Sequence, residues 1–170
     1  MQKFSNSIDI PAPAAEVVAL ITTEKYLRFR YEDDNVRDFS LSITEDTVDI
    51  FSYSLTREVD IAGKVPKVAK KLVGDSLTVI QQQSWRKDSV TYPGEMTVEA
   101  KGLPGKITAV THVVSVDGDN CKLIVNGQVH VSIPLVGSQL EKVLVGRIEE
   151  SFFQSGDTVR AFVTEHKKQA

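Results

Sequence analysis

The tightest constraint on this chain lies in its last third. There an alternating segment runs through a proline–glycine break into one long amphipathic stretch. Gly127-Gln128-Val129-His130-Val131-Ser132 alternates with period two before Ile133-Pro134-Leu135-Val136-Gly137 interrupts it. From Ser138 onward the apolar period becomes 3.6, with Leu140, Leu144, Ile148, Phe152, Val159 and Phe162 on one stripe. The pattern predicts a helix of about 28 residues, roughly 42 Å long and far longer than an ordinary globular helix. Such a helix needs an equally long surface to cover its stripe, and the strands upstream are the candidate.

Those strands alternate with turn signals. Lys3 to Ile10 reads as a first strand with Phe4, Ile8 and Ile10 on one face. Pro11-Ala12-Pro13 ends it, and Pro13 suits the first position of a helix, where its missing N–H costs nothing. Ala14 to Ile21 follows as a short apolar helix. Thr22 and Thr23 are both plausible caps for a second one carrying Tyr26, Leu27 and Phe29. Strands are expected at Val36–Thr44 and Thr47–Val59 around a Glu45-Asp46 turn, with a bulge or an edge position to explain their imperfect alternation. Residues 65–73 read as a helical insert with Gly74 as its stop and Lys64, Lys67, Lys70 and Lys71 on its polar face. Leu77–Trp85, Ser89–Ala100, Ile107–Val116 and Cys121–Ile133 complete the strands, and Asp117-Gly118-Asp119-Asn120 marks a hairpin. Short turns between successive strands predict a seven-stranded antiparallel meander whose first strand closes against its last. The class is α+β.

Composition narrows the function. With 170 residues, one domain over the whole chain is expected. A formal charge of −3 lacks the basic surplus of a nucleic-acid binder. No eighteen apolar residues run together and no apolar signal core follows the first residues, so a cytoplasmic protein with no transmembrane segment is expected. The single Cys121 offers no internal disulfide, and no His/Cys/Asp/Glu set has metal spacing. No cofactor is implied.

The opening Ser7-Ile8-Asp9-Ile10-Pro11-Ala12-Pro13-Ala14-Ala15-Glu16-Val17 resembles the START-like superfamily, also called SRPBCC or Bet v 1-like. So do Thr56-Arg57 to Val65-Pro66, Gln83-Ser84-Trp85, and the ending Val129-His130-Val131-Ser132-Ile133-Pro134-Leu135-Val136-Gly137 with Glu141. The branch it looks most like is an uncharacterised bacterial one. The resemblance implies a helix-grip fold, a sheet curved around the long helix with a hydrophobic cavity between them. Such cavities commonly receive lipids, sterols, polyketides or aromatic metabolites.

Candidate site residues follow from the faces. Ser155 falls near the middle of the apolar stripe, where its hydroxyl either meets a ligand or bonds back to a carbonyl one turn earlier. Glu141 points the same way, but Ser138-Gln139-Leu140-Glu141 matches a capping box, which is the preferred explanation. If the 117–120 hairpin is tight, His112 faces Val125 on the inner side. There it is either a general acid–base group or, more commonly, a satisfied core histidine. His130 then points outward. Tyr26, Phe29, Tyr53, Trp85, Tyr92 and Phe152 either fill a core or, with Met96, Val125 and Ile148, line a cavity. Arg30 and Arg57 are candidates for greeting an acidic group at its mouth. The insert at 65–73 suits a crossover helix, a lid or transient membrane contact. The expected function is a carrier or sensor of a hydrophobic small molecule. The alternatives are a cyclase-, dehydratase- or hydrolase-like enzyme using His112, Tyr92 or Ser155, and a protein-interaction module with a filled core.

Overall fold

A computed structural model describes residues 1–32, 36–60, 63 and 67–169. β1 (Gln2–Ile10) leads into α1 (Ala14–Ile21) and α2 (Glu24–Tyr31). Pro13 sits one place earlier than expected, as the N-cap of α1, while Thr23 caps α2 by accepting from the Tyr26 N–H at 3.1 Å. β2 (Arg37–Asp46) and β3 (Ile50–Asp60) form the first hairpin. Its turn is displaced from Glu45-Asp46 to 47–49. The Thr47 hydroxyl accepts from the N–H groups of Asp49 and Ile50, a local bond that takes the backbone out of the ladder there. The expected irregularity is present as register shifts between Arg37 and Ser40 and between Ile43 and Glu45.

After β3 come α3 (Lys67–Val73), β4 (Ser76–Arg86), β5 (Gly94–Ala100), β6 (Gly105–Ser115), β7 (Cys121–Val131) and α4 (Gly137–Gln169). Gly74 stops α3 at φ 75°, its N–H on the Lys70 carbonyl, as the glycine signal predicts. Lys67, Lys70 and Lys71 are exposed; Lys64, Val65, Pro66 and the side chains of Val68, Ala69 and Val73 lie outside the described residues. β5 starts five residues later than expected, because Pro93 has no N–H for a ladder and residues 89–92 form a turn.

All seven strands pair antiparallel in the order β1-β7-β6-β5-β4-β3-β2, so the first strand does close against the last and β2 is the bulged edge. In the β6–β7 hairpin, Ser115 pairs with Cys121, one residue away from the tight-turn register. The Asp117 carboxylate accepts from the Asp119 N–H and the Asn120 amide, which holds a wider loop. A one-residue slip turns every side chain over. Thr111 and Val113 therefore face inward, while His112 pairs with Ile124 on the outer face.

α4 is 33 residues, about 50 Å at 1.5 Å each, and it packs along β1 and β7. Gly156 permits the closest approach: a Cβ there would lie 2.5 Å from Ile8 Cδ1. Gly127 is equally confined on the strand side, against Phe4, Ala109 and the Thr108 carbonyl. One buried cluster joins α1 and α2 to Phe51, Leu55, Val113, Val159 and Val163. A second joins Phe4, Val125, Val129, Val131 and Leu140.

The capping box at Ser138 and Glu141 does not form. The Gly137 N–H bonds to the Ile133 carbonyl and the Leu140 N–H to Val136, so helical turning begins before Ser138, and the Glu141 carboxylate is engaged elsewhere. Glu141 is 2 % exposed and turns back onto β7. One oxygen accepts from the Val131 N–H at 2.9 Å and lies 3.5 Å from His130 Nδ1, while the other meets the Met1 ammonium at 2.7 Å. The ammonium, then the Val131 N–H and the His130 charge, hold its pKa below the ordinary value of 4.5. A depressed carboxylate contributes stability that is present above the unfolded pKa and lost as pH falls through the folded one. Wild type is therefore expected to exceed Glu141→Gln in thermal stability above about pH 5, with the gap closing as pH falls below about 4.5. Thermal melts across that range check this, and a gap independent of pH would contradict it.

Candidate functional site: a cavity between the sheet and the long helix

Because α4 packs chiefly along β1 and β7, the other half of the sheet curves away from it. The space between is a cavity of about 380 Å³. Burial along the inner faces shows its orientation. On β3, Phe51, Tyr53 and Leu55 are buried, whereas Arg57 and Val59 are half-exposed. On β4 the same change runs from Trp85, Gln83 and Gln81 to Val79 and Leu77. On β6 it runs from Val113 and Thr111 to Ile107. The cavity is therefore deep near Trp85 and opens toward the β3–β4 connection that carries α3.

Most of the wall is aliphatic, but one inner stripe is polar. The Tyr53 hydroxyl donates to Gln83 Oε1 at 3.0 Å, and Gln83 Nε2 donates to the Thr111 hydroxyl at 3.2 Å. Gln81 Nε2 donates to the hydroxyls of both Tyr31 and Tyr53 at 3.2 Å. These residues come from α2, β3, β4 and β6, and the pairings across β3–β4 and their neighbours set the glutamines beside the tyrosines. Burial, reinforced by the neighbouring phenols, pushes the pKa of Tyr26 and Tyr53 far above the usual phenol value. Both remain protonated donors at any physiological pH.

Arg30 fastens the side of the cavity. Its Nε donates to the Ser155 hydroxyl at 2.8 Å, and Nη2 donates to the Ser151 carbonyl and hydroxyl at 3.0 Å. Neither alternative for Ser155 describes this: its hydroxyl accepts from an arginine of α2. The guanidinium also lies 4.9 Å from the centre of the Tyr31 ring, and Arg57 lies 5.2 Å from it on its own account. Arg30→Ala is expected to cost about 1 kcal/mol, the worth of partly exposed charge-assisted bonds. Urea unfolding at constant m-value measures it.

Of the residues singled out from the sequence, Tyr26, Tyr53, Trp85 and Met96 come together in the wall, as do Val125, Ile148, Phe152 and Ser155 from β7 and α4. Three do not. Phe29 is half exposed on α2 and tilted against Phe162, the same ring that Tyr26 meets edge-on, so it packs outside the cavity lining. Tyr92 sits at φ 45° in the β4–β5 turn and packs against the core from outside the cavity. His112 is on the outer sheet face for the reason of register. Sequence reasoning passed over Tyr31, Gln81, Gln83 and Thr111. The signal available was the period-two alternation of Gln81, Gln83 and Trp85, which puts two amides on the same face as the tryptophan. Among the described residues the wall contains no histidine or cysteine, and no group of three metal-ligating side chains occurs.

A seven-stranded antiparallel sheet curved around a long C-terminal helix, two short helices after the first strand and a cavity beneath them define the helix-grip fold. The chain belongs to the family described as Protein of unknown function (DUF2505), whose model matches residues 5–163. Among solved structures it is similar to the Zhui aromatase/cyclase from Streptomyces sp. R1128, with TM-score 0.63, 12% identity and coverage of 94% of this chain and 92% of that one. Norcoclaurine synthase from Thalictrum flavum gives TM-score 0.61, 16% identity and coverage of 97% and 87%. A START superfamily protein from Mycobacterium smegmatis gives 0.58, 13%, and 96% and 97%. At these identities the likeness is one of fold. No curated protein matches the sequence. Among the described residues, no helix is long and apolar enough to cross a membrane.

Proposed function

We propose that this protein binds a small, mainly apolar molecule between the sheet and α4 and serves as its carrier or sensor. The observation that carries the proposal is the cavity, about 380 Å³ of unfilled space with an aliphatic wall and one polar stripe. That volume and lining match small-molecule sites. Burial of ligand surface at about 25 cal/mol per Å² supplies the affinity, with Trp85, Phe152 and Met96 as contact surface and the polar stripe setting orientation. Exposed Lys67, Lys70 and Lys71 on α3, beside the open end, suit a cap that also touches anionic bilayers when ligand is exchanged.

The geometry favours carriage over catalysis. Each group that an enzymatic reading would use is elsewhere or engaged: His112 is outside the cavity, Tyr92 is in a turn and the Ser155 hydroxyl holds Arg30. The buried phenols cannot act as bases near neutral pH. A filled interaction module is disfavoured by the cavity itself.

The test is native mass spectrometry of freshly purified protein, together with titration of N-phenyl-1-naphthylamine followed by its fluorescence. A co-purifying adduct or saturable, blue-shifted emission at one probe per chain is expected. A clean apo mass together with no saturable uptake would overturn the proposal.

A further inference from the structure

The cavity's hydrogen-bonding groups are unevenly spent. Tyr53 uses its proton on Gln83, and Gln81 uses both amide protons on Tyr31 and Tyr53. Gln83 spends one of its own on Thr111. The Tyr26 side chain is only 7 % exposed, and its ring is fixed edge-on against Phe162. Its hydroxyl nevertheless has no partner among the described residues and is not among the atoms sealed within protein, so it opens onto the cavity that the residue lines. Tyr31 accepts from Gln81 and shares a hydrogen bond with Tyr53. Tyr26 is therefore the phenolic donor on α2 with no acceptor among the described residues, and it lines the same cavity as the polar array that Tyr31 joins. A buried hydroxyl without an acceptor costs free energy that a ligand acceptor restores.

We infer that the ligand is an apolar molecule bearing a neutral hydrogen-bond acceptor, a ketone- or quinone-type carbonyl oxygen, seated on the hydroxyl of Tyr26. This rests on the proposed function and adds the chemical class of ligand to it. A carboxylate fits less well. Arg30 is committed to Ser151 and Ser155 and stacked over Tyr31, Arg147 in the wall is paired with Glu150, and Arg57 and Asp60 have partners of their own. An ionised head group in this apolar space would lack a free counter-charge. A plain hydrocarbon would leave the Tyr26 phenolic proton unpaired.

Three probes sharing one apolar body separate these cases: 2-ethylnaphthalene, 2-acetylnaphthalene and 2-naphthoate, each titrated into the full chain at pH 7.5. The ketone is expected to bind about fivefold to tenfold more tightly than the hydrocarbon, the worth of one good hydrogen bond in a buried site. Tyr26→Phe should bring the ratio of ketone to hydrocarbon affinity close to one. The carbonyl stretch of the bound ketone, lowered in wild type, should return to its hydrocarbon-solvent frequency in that variant. Equal affinity for ketone and hydrocarbon in wild type overturns the inference but leaves the proposed function standing. Tightest binding of naphthoate overturns it in favour of an anion site. Failure of all three probes to bind, the hydrocarbon included, removes the proposed function and this inference with it. The wild-type comparison holds even where a phenylalanine variant folds poorly.

Discussion

Gly156→Val is expected to destabilise the protein by about 1–3 kcal/mol, lowering Tm by roughly 2–10 °C for a chain of this size. The cause is local and has one partner. The new Cβ would lie 2.5 Å from Ile8 Cδ1 and 2.8 Å from Ile8 Cγ2, inside a buried contact where α4 crosses β1. Valine gains a few tenths of a kcal/mol of helix propensity over glycine, too little to offset the overlap. Gly156→Ala sets a stronger propensity gain, near 1 kcal/mol, against a milder overlap and should be close to neutral. The decisive measurement is a double-mutant cycle in chemical denaturation. Combined with Ile8→Ala, the valine should cost much less than alone, because the vacated volume receives it. Strict additivity of the two substitutions would show that Gly156 is not held by this contact.

Ile148→Trp is expected to weaken binding of the neutral naphthyl probe by at least about tenfold while leaving the fold intact. Ile148 faces the cavity from α4 and is half-buried, so the larger ring enters empty space instead of overpacking a closed core. The matched control is Phe153→Trp on the same helix. Phe153 is already half exposed and points away from the sheet, and its replacement should leave the affinity unchanged. Thermal melts of both variants show whether folding is retained. Unaltered probe affinity in a folded Ile148→Trp variant would place the bound molecule somewhere other than this cavity.

The two substitutions differ in how far the sequence foretold them. Ile148 was legible because a 3.6-residue period assigns it to the apolar stripe without knowing what the stripe meets. Gly156 was not. It is one residue from Ser155 on the same helix, and nothing local says that β1, nearly 150 residues upstream, presses against that turn. Tyr53 and Trp85 were legible as members of the aromatic set, whereas Tyr31 closes a short helix with no local signal of the partners it meets on β3 and β4. Gln81 and Gln83 are amides, which seldom line an inner sheet face. Arg30 offered no signal that it would hold two serines of α4.

Alternation, turn residues and the length of the last amphipathic stretch determined the element order, the antiparallel meander closing on its first strand, the bulged edge and the need for a sheet to grip the helix. Each of these follows from periodicity read within about a dozen residues. Tertiary structure alone decided which face His112 takes, because an Asx-stabilised loop shifted the hairpin by one residue and a period of two turns any such shift into an inversion. It also decided that Glu141 anchors β7 in place of capping its own helix, because the fold brings the Val131 N–H and the Met1 ammonium, both distant from that turn, onto its carboxylate. The cavity belongs to the same group. It exists because α4 leans on β1 and β7 and leaves the opposite strands uncovered, a matter of which distant surfaces meet and not of any residue's own preference.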